Sequence, residues 1–274
     1  MEQNIYEMIK DAEMILIGIG EEFSPKYQEA ESAANMETEN GTAADLLEPY
    51  KKSRFYAEVP EDHEVIRAYN RLRELVGAKP YFVVTMNTDD LIYKSNLEQD
   101  LIVAPCGSMQ KMQCKEHIVE AGEIRDRVLA ATKTIRTERT NEAADHISQA
   151  LNGAENLIVM KEAAQKHAVC PICGEPLSFH TIETEGYLEE GYLPQWTKYT
   201  KWLSCTLNRK LCVIELGVGF RFPQVVRFPF EKVAAYNRKA SLVRINSKFP
   251  QLPEEMSQRG VSVKESPVQF LLNF

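Results

Sequence analysis

With 274 residues, 44% of them hydrophobic, the chain can bury one large core or a main core with a small companion. A formal net charge of -8 disfavours general affinity for nucleic acid, whose phosphates need clustered Lys and Arg, and points to a protein or small-molecule substrate. No apolar run is long enough to cross a bilayer, and the acidic, amphipathic start "MEQNIYEMIKDAEMILIGIG" is not that of a secretory signal, so a cytoplasmic address with no membrane partner is expected.

Residues 2–12 place Ile5, Met8, Ile9 and Ala12 at helical spacing and lead into "MILIGIG", an apolar strand ending in glycines. From Glu21 to Asn40 the chain is polar, acidic and without period. "TAADLLEPYKK" and "DHEVIRAYNRLRELVG" then read as helices, the second with Val65, Ile66, Tyr69, Leu72, Leu75 and Val76 on one face. "YFVVTM" (81–86), "LIVA" (101–104), "LCVIELG" (211–217) and "LVRIN" (242–246) are short and continuously apolar, as strands of a parallel sheet covered on both faces should be. Between His117 and Cys170 the Ala, Glu, Arg and Thr-rich sequence reads mainly as helix. The alternation of strands and helices implies an α/β fold, in which ligands sit beyond the carboxyl ends of the strands. The segments "GIGEEFS", "NTDD", "PCGS" and "GVGF" and the residue Asn246 occupy those positions.

Six cysteines in a cytoplasmic chain are expected to be reduced, so a clustered pair reads as a metal site rather than a disulfide. "CKEH" and "CPICG" can bring Cys114, His117, Cys170 and Cys173 into the closed tetrahedron of structural zinc, with His167 as a substitute for His117; ordinary reduced cysteines, with His117 merely beginning a helix, are the plain alternative. Cys205, on a predicted helix, and Cys212, on a buried strand, read as core. "GIG" after a strand permits close backbone approach to a pyrophosphate, but Glu21 and Glu22 would repel one unless they point away; a simple strand-to-loop turn explains the glycines equally well. At the end of the second strand Asn87 has the chemistry to hydrogen-bond a ribose hydroxyl and Asp89 a carboxamide N–H, while a turn or helix cap is the plain alternative.

Taken together the segments resemble the sirtuin family. The likeness runs through "YFVVTMNTDDLIYKSNL" (strand, Asn-x-Asp and helix), "LIVAPCGSMQKMQC" (strand, the position of His-Gly-Ser, first zinc cysteine), "CPICG" (second zinc pair) and "LVRIN" (adenosine-ribose strand). "IELGVGFRFPQVVRFPFE" is similar to a bacterial branch that includes macrodomain-linked sirtuins. The resemblance implies a Rossmann-like parallel sheet for NAD (1–20, 78–110 and 186–274) and a small domain with a helical cap part (21–77) and a zinc-binding part (111–185). It also implies that Asn87 and Asp89 position ribose and nicotinamide, that Cys106 lines the reacting face, and that Gly18, Gly20, Gly217, Val218, Gly219 and Asn246 contact the cofactor.

Three departures bear on chemistry. The loop after the first strand keeps only Gly18 and Gly20 of the family's pattern, His117 stands where cysteine is usual, and Cys106 stands where the deacetylase base is a histidine. Imidazole titrates near neutrality, whereas an ordinary thiol with a pKa of about 8.5 is mostly protonated and a poor proton relay. The resemblance therefore implies transfer of ADP-ribose from NAD to a protein acceptor. Weak NAD-dependent deacylation is one alternative, and a non-catalytic module binding NAD or ADP-ribose, or serving as a scaffold, is another. A reactive or redox-sensitive thiol at Cys106, exposed at a strand end, is a further reading of that residue.

Overall fold

The computed structural model describes residues 2–27, 43–140 and 158–274. The expected aperiodic stretch over 28–40 and the helical reading over 141–157 lie outside these residues. In chain order the helices and strands begin with α1 (Glu2–Asp11), β1 (Met14–Ile19), α2 (Ala43–Glu58), α3 (Glu64–Val76), β2 (Tyr81–Thr85) and β3 (Ile102–Val103). β4 (Gly107–Gln113), β5 (Ile118–Glu120), α4 (Gly122–Thr140), a helix α5 over 158–167 and β6 (Ser178–Thr181) follow. The chain ends with α6 (Leu193–Ser204), β7 (Leu211–Leu216), α7 (Arg227–Tyr236), β8 (Ser241–Ile245), β9 (Gly260–Val263) and α8 (Pro267–Asn273). Among the described residues no helix is long and apolar enough to cross a membrane.

Two compact units are formed. The larger comprises Met1–Pro25, Val59–Gly107 and Glu189–Phe274. Its sheet has the order β3-β2-β1-β7-β8-β9, with every neighbouring pair parallel. The apolar runs expected to be strands are β1, β2, β3, β7 and β8, and every residue of β2 and β7 is buried, as helix cover on both faces of a parallel sheet requires. β9, "GVSV", is a half-buried edge too short and polar to stand out in the sequence. Order reversal between β2 and β7 about β1 puts the loops after β1, β2, β7 and β8 along one carboxyl edge.

The expected helical cap over 21–77 is divided: α3 belongs to the larger unit. His63 caps it by accepting from the Val65 N–H (3.2 Å), and Gly77, at φ 62°, ends it where a side chain would be strained. Its apolar stripe (Val65, Ile66, Ala68, Tyr69, Leu72, Val76) is buried and packs toward α8, so its hydrophobic face decides its unit.

The smaller unit comprises Lys26–Glu58 and Ser108–Leu188. A three-stranded sheet, β5-β4-β6, lies with α2, α4 and α5 around Leu47, Met112, Ile124, Val128, Met160 and Leu177. These strands were not anticipated, because "GSMQKMQ", "IVE" and "SFHT" are short and carry polar side chains. One polar knot joins two of them: Gln113 Oε1 contacts His180 Nδ1 at 2.7 Å and accepts from the Leu188 N–H at 3.1 Å, while Gln113 Nε2 donates to the Gly186 carbonyl at 2.9 Å. Burial, with Lys111 nearby, pushes the His180 imidazole down from 6.5 to about 4. A base with a lowered folded value contributes stability that is complete above its unfolded value and is lost as protons are forced on. The small unit should therefore lose thermal stability as pH falls from 6.5 towards 4, and His180→Gln should flatten that part of a melting-temperature profile. An unchanged profile in the variant would show that other groups govern the acid limb.

Candidate functional site at the carboxyl edge of the main sheet

β1 runs out through Gly20 into a single 3-10 turn, Glu21–Phe23. Phe23 is wholly buried, with its ring 4.4 Å from that of Tyr69 on α3. The next residue, Ser24, donates its hydroxyl to Asp89 Oδ2 at 2.5 Å, and Asp89 Oδ1 accepts the Leu91 N–H at 2.9 Å. Asp90 takes φ 60°, a left-handed conformation that Asp tolerates and that turns the chain beyond Asp89. Asn87 and Asp89, expected to act together, thus both lie buried just past β2. Asn87 faces the Tyr69 hydroxyl without reaching hydrogen-bond geometry, so its Nδ2 has no protein partner among the described residues. Burial drives the Tyr69 phenol well up, and the Asp89 carboxylate reinforces the shift. A buried amide nitrogen left without an acceptor is costly in a fold and ordinary in a ligand site.

The glycines do different work from one another. A Cβ at Gly18 would lie 2.4 Å from Val226 Cγ1 and 2.9 Å from Phe230, so this glycine lets α7 pack on the sheet. One at Gly20 would lie 2.4 Å from the Gly217 carbonyl oxygen and from Val218 Cα, so Gly20 brings the loops after β1 and β7 together. Gly217, at φ 66°, turns the chain out of β7. Asn246 is fully buried: its Nδ2 donates to the Val218 carbonyl at 3.0 Å and its Oδ1 accepts the N–H groups of Lys248 (2.9 Å) and Phe249 (2.6 Å). Its amide ties the loops after β7 and β8 together. Glu21 and Glu22 are turned into this edge. Glu21 Oε2 accepts the Gly219 N–H at 3.2 Å, and Glu22 accepts the Ser247 N–H at 2.8 Å and its hydroxyl at 2.7 Å.

Beneath the edge lies a buried charge network. Glu215 and Arg244 are register partners on β7 and β8 and form a two-pronged pair, 2.7 Å and 3.2 Å, with both side chains almost without exposure. Arg244 also reaches Glu231 at 2.6 Å, which lies 3.6 Å from Arg227. Burial pushes the Glu215 carboxyl up, and the Arg244 guanidinium opposes it. Arg227 donates to the carbonyls of Val218 (3.1 Å), Phe249 (3.2 Å) and Gln251 (3.3 Å).

Cys106 lies in the turn between β3 and β4, where Gly107, at φ 83°, returns its N–H to the Ala104 carbonyl at 3.1 Å. The turn is where the sequence puts it, but the thiol is buried rather than exposed, with Tyr192 among its neighbours, so the reading of a surface nucleophile does not hold. Cys205 also departs from expectation: it is exposed at the end of α6, whereas Cys212 is buried in β7, where burial pushes its thiol up to about 12. None of the six cysteines is in a disulfide.

In the small unit Cys114, His117, Cys170 and Cys173 place their ligand atoms within 4.8 Å of one another; His167 is not part of the group. Cys114 Sγ lies 3.5 Å from His117 Nδ1 and 3.7 Å from Cys173 Sγ, and Cys170 Sγ lies 3.9 Å from His117 Nδ1. Backbone N–H groups of Glu116 and His117 hold the Cys114 thiol below its ordinary range and so favour the thiolate.

Sequence reading missed Ser24, Tyr69, Ser247 and the charge network. The network had a signal: Glu215 and Arg244 are the charged residues inside the apolar runs "LCVIELG" and "LVRIN", of opposite sign and at matching positions.

No model of a protein family matches the chain. It is 23% identical over 216 residues to a protein ADP-ribosyltransferase of Staphylococcus aureus, covering 78% of this chain and 62% of that protein. It is 24% identical over 185 residues to a probable bifunctional ADP-ribose hydrolase/ADP-ribosyltransferase of Fusarium oxysporum f. sp. cubense, covering 66% of this chain and 28% of that protein. The chain thus matches less than two thirds of the length of either relative. Among solved structures, a Sir2 complex with a p53 peptide and NAD+ superposes with a TM-score of 0.53 at 12% identity, covering 100% of this chain and 96% of that one. A sirtuin from work on substrate affinity gives 0.55 at 12% identity, covering 100% and 97%. A further Sir2 enzyme gives 0.52 at 14% identity, covering 99% and 94%. The chain has the sirtuin fold.

Arg244→Ala should lower stability by about 3–5 kcal/mol, since it leaves Glu215 buried without its partner. The double variant Glu215→Leu/Arg244→Met should recover a large part of the loss. Urea unfolding measures both, and a single variant as stable as the parent would show that the network is dispensable.

Proposed function

We propose that the protein uses NAD to transfer ADP-ribose to an acceptor protein, in the cytoplasm. The observation that carries this reading is the pairing of a buried Asn87, whose amide nitrogen has no partner among the described residues, and a fixed Asp89 at the sheet edge with a buried thiol, not an imidazole, at Cys106. The fold shared with an NAD-bound Sir2 complex supports NAD as co-substrate, and two curated relatives bear ADP-ribosyltransferase names.

In this reading the Asn87 amide donates to a hydroxyl of the nicotinamide ribose. Asp89, held by Ser24 and the Leu91 N–H, orients the nicotinamide carboxamide. Gly20, Gly217, Val218, Gly219 and Asn246 shape the edge along which the rest of the dinucleotide lies, and Gly18 seats α7 beneath it. The bond from the anomeric carbon to nicotinamide breaks, nicotinamide leaves with the bonding electrons, and the acceptor side chain supplies the new pair and releases its proton. Cys106 shapes the reacting face and relays no proton, which is why acceptor transfer is favoured over deacylation.

The Cys114, His117, Cys170 and Cys173 set suits zinc. A tetrahedron with sulfur at about 2.3 Å and nitrogen at about 2.0 Å has edges of roughly 3.5–3.8 Å; the 3.5 Å and 3.7 Å separations fall in that range and the 3.9 Å from Cys170 to His117 lies just beyond it. Four protein ligands leave no open position for a water, so this zinc would stabilise the small unit and take no part in the reaction.

Nicotinamide release should proceed with an acceptor protein and should not be accelerated by an acetyl-lysine peptide. Stimulation by the peptide would instead identify a deacylase, and so would a gain of deacylation in Cys106→His, a change worth about 100-fold or more where a general base is restored. Metal analysis should find one zinc per chain, and Cys170→Ser should lose it together with the thermal stability of the small unit. Cys205→Ser should retain both, and metal-free protein melting at an unchanged temperature would rule out a structural zinc.

A further inference from the structure

Resting on the NAD reading, a second property follows from Glu21 and Glu22. Backbone N–H groups in glycine-bearing loops that follow the strands of a parallel sheet can receive anions. Here they are already engaged. Gly219 donates its N–H to Glu21, and Ser247 donates both its N–H and its hydroxyl to Glu22.

The space is engaged as well. A Cβ at Gly219 would lie 1.9 Å from Glu21 Oε1, and one at Gly217 would lie 2.6 Å from Glu22 Cβ. The room that these glycines leave is filled by the protein's own side chains. Glu21 and Glu22 are consecutive, so two like charges meet at the place where a diphosphate would add its own. The loop that bears them is fastened on either side, by Gly20 packed on Gly217 and Val218 and by the Phe23 ring packed at a tilt against that of Tyr69.

We infer that Glu21 and Glu22 act as internal surrogates for the diphosphate of the ligand, closing the carboxyl edge until a dinucleotide displaces their carboxylates from Gly219 and Ser247. They are then specificity-determining residues: the site discriminates against anionic ligands by an amount set by these two charges.

Calorimetric titration of the full chain with ADP-ribose and, separately, with uncharged adenosine tests this. Glu21→Gln and Glu22→Gln keep the shape and the acceptor oxygen while removing the charge, and thermal melts establish that each is folded. Each should bind ADP-ribose roughly tenfold more tightly than the parent, as expected for removal of one like charge near the ligand, with adenosine affinity unchanged. Binding of ADP-ribose by the variants alone, with none by the parent, also supports the inference and would mark the parent as closed. Equal ADP-ribose affinity in parent and variants overturns the inference and leaves the NAD reading intact. Weaker binding in the variants overturns it too, since the glutamates would then be ligand contacts. Absence of ADP-ribose binding in parent and variants alike overturns both.

Discussion

Two guanidinium groups almost without access to water hold the carboxyl edge of the main sheet in shape. Arg244, in β8, pairs with Glu215 across the strand interface and donates to the Gln251 carbonyl; Arg227, at the start of α7, donates to carbonyls of Val218, Phe249 and Gln251. With Glu215 and Glu231 the network carries two charges of each sign, so none is left uncompensated. Apolar residues of the same size could match it in stability, because desolvating the three buried charges, Glu215, Arg244 and Arg227, consumes most of what the attraction returns. What apolar residues could not supply is direction. Planar guanidiniums aimed at main-chain carbonyls fix the two loops after β7 and β8 relative to each other.

That fixed edge explains why the loop after β1 can be so unlike a simple phosphate loop. Its glycines serve close approach: Gly20 against Gly217 and Val218, Gly18 against Val226 and Phe230. Its polar side chains then join the loop to every neighbour, Glu21 to Gly219, Glu22 to Ser247 and Ser24 to Asp89. Asn87 Nδ2 and the Tyr69 hydroxyl are the exceptions, two neighbouring polar atoms with no hydrogen-bond partner among the described residues.

The sheet was legible because its strands are buried on both faces, which gives continuous apolar runs such as "YFVVT" and "LCVIEL". The metal-type cluster was legible because its ligands come in two short-spaced pairs. The small unit's own sheet was hidden by its short polar strands, and the allegiance of α3 was hidden because an apolar stripe states that a helix packs, not on what. The burial of Cys106 and the saturation of Asn246 were also out of reach, since both depend on loops that meet only in the folded chain. Glu21 and Glu22 were legible as a conflict with a phosphate, but their partners Gly219 and Ser247 are about two hundred residues away in sequence.

The most direct measurement follows label from the adenylate part of NAD into protein, comparing the parent chain with Asn87→Ala. Because the Asn87 amide nitrogen makes no hydrogen bond among the described residues, its removal should leave the melting temperature nearly unchanged. The parent should transfer the label to an acceptor protein, and the variant, equally folded, should not. Nicotinamide release without protein labelling, or equal labelling by parent and variant, would contradict this.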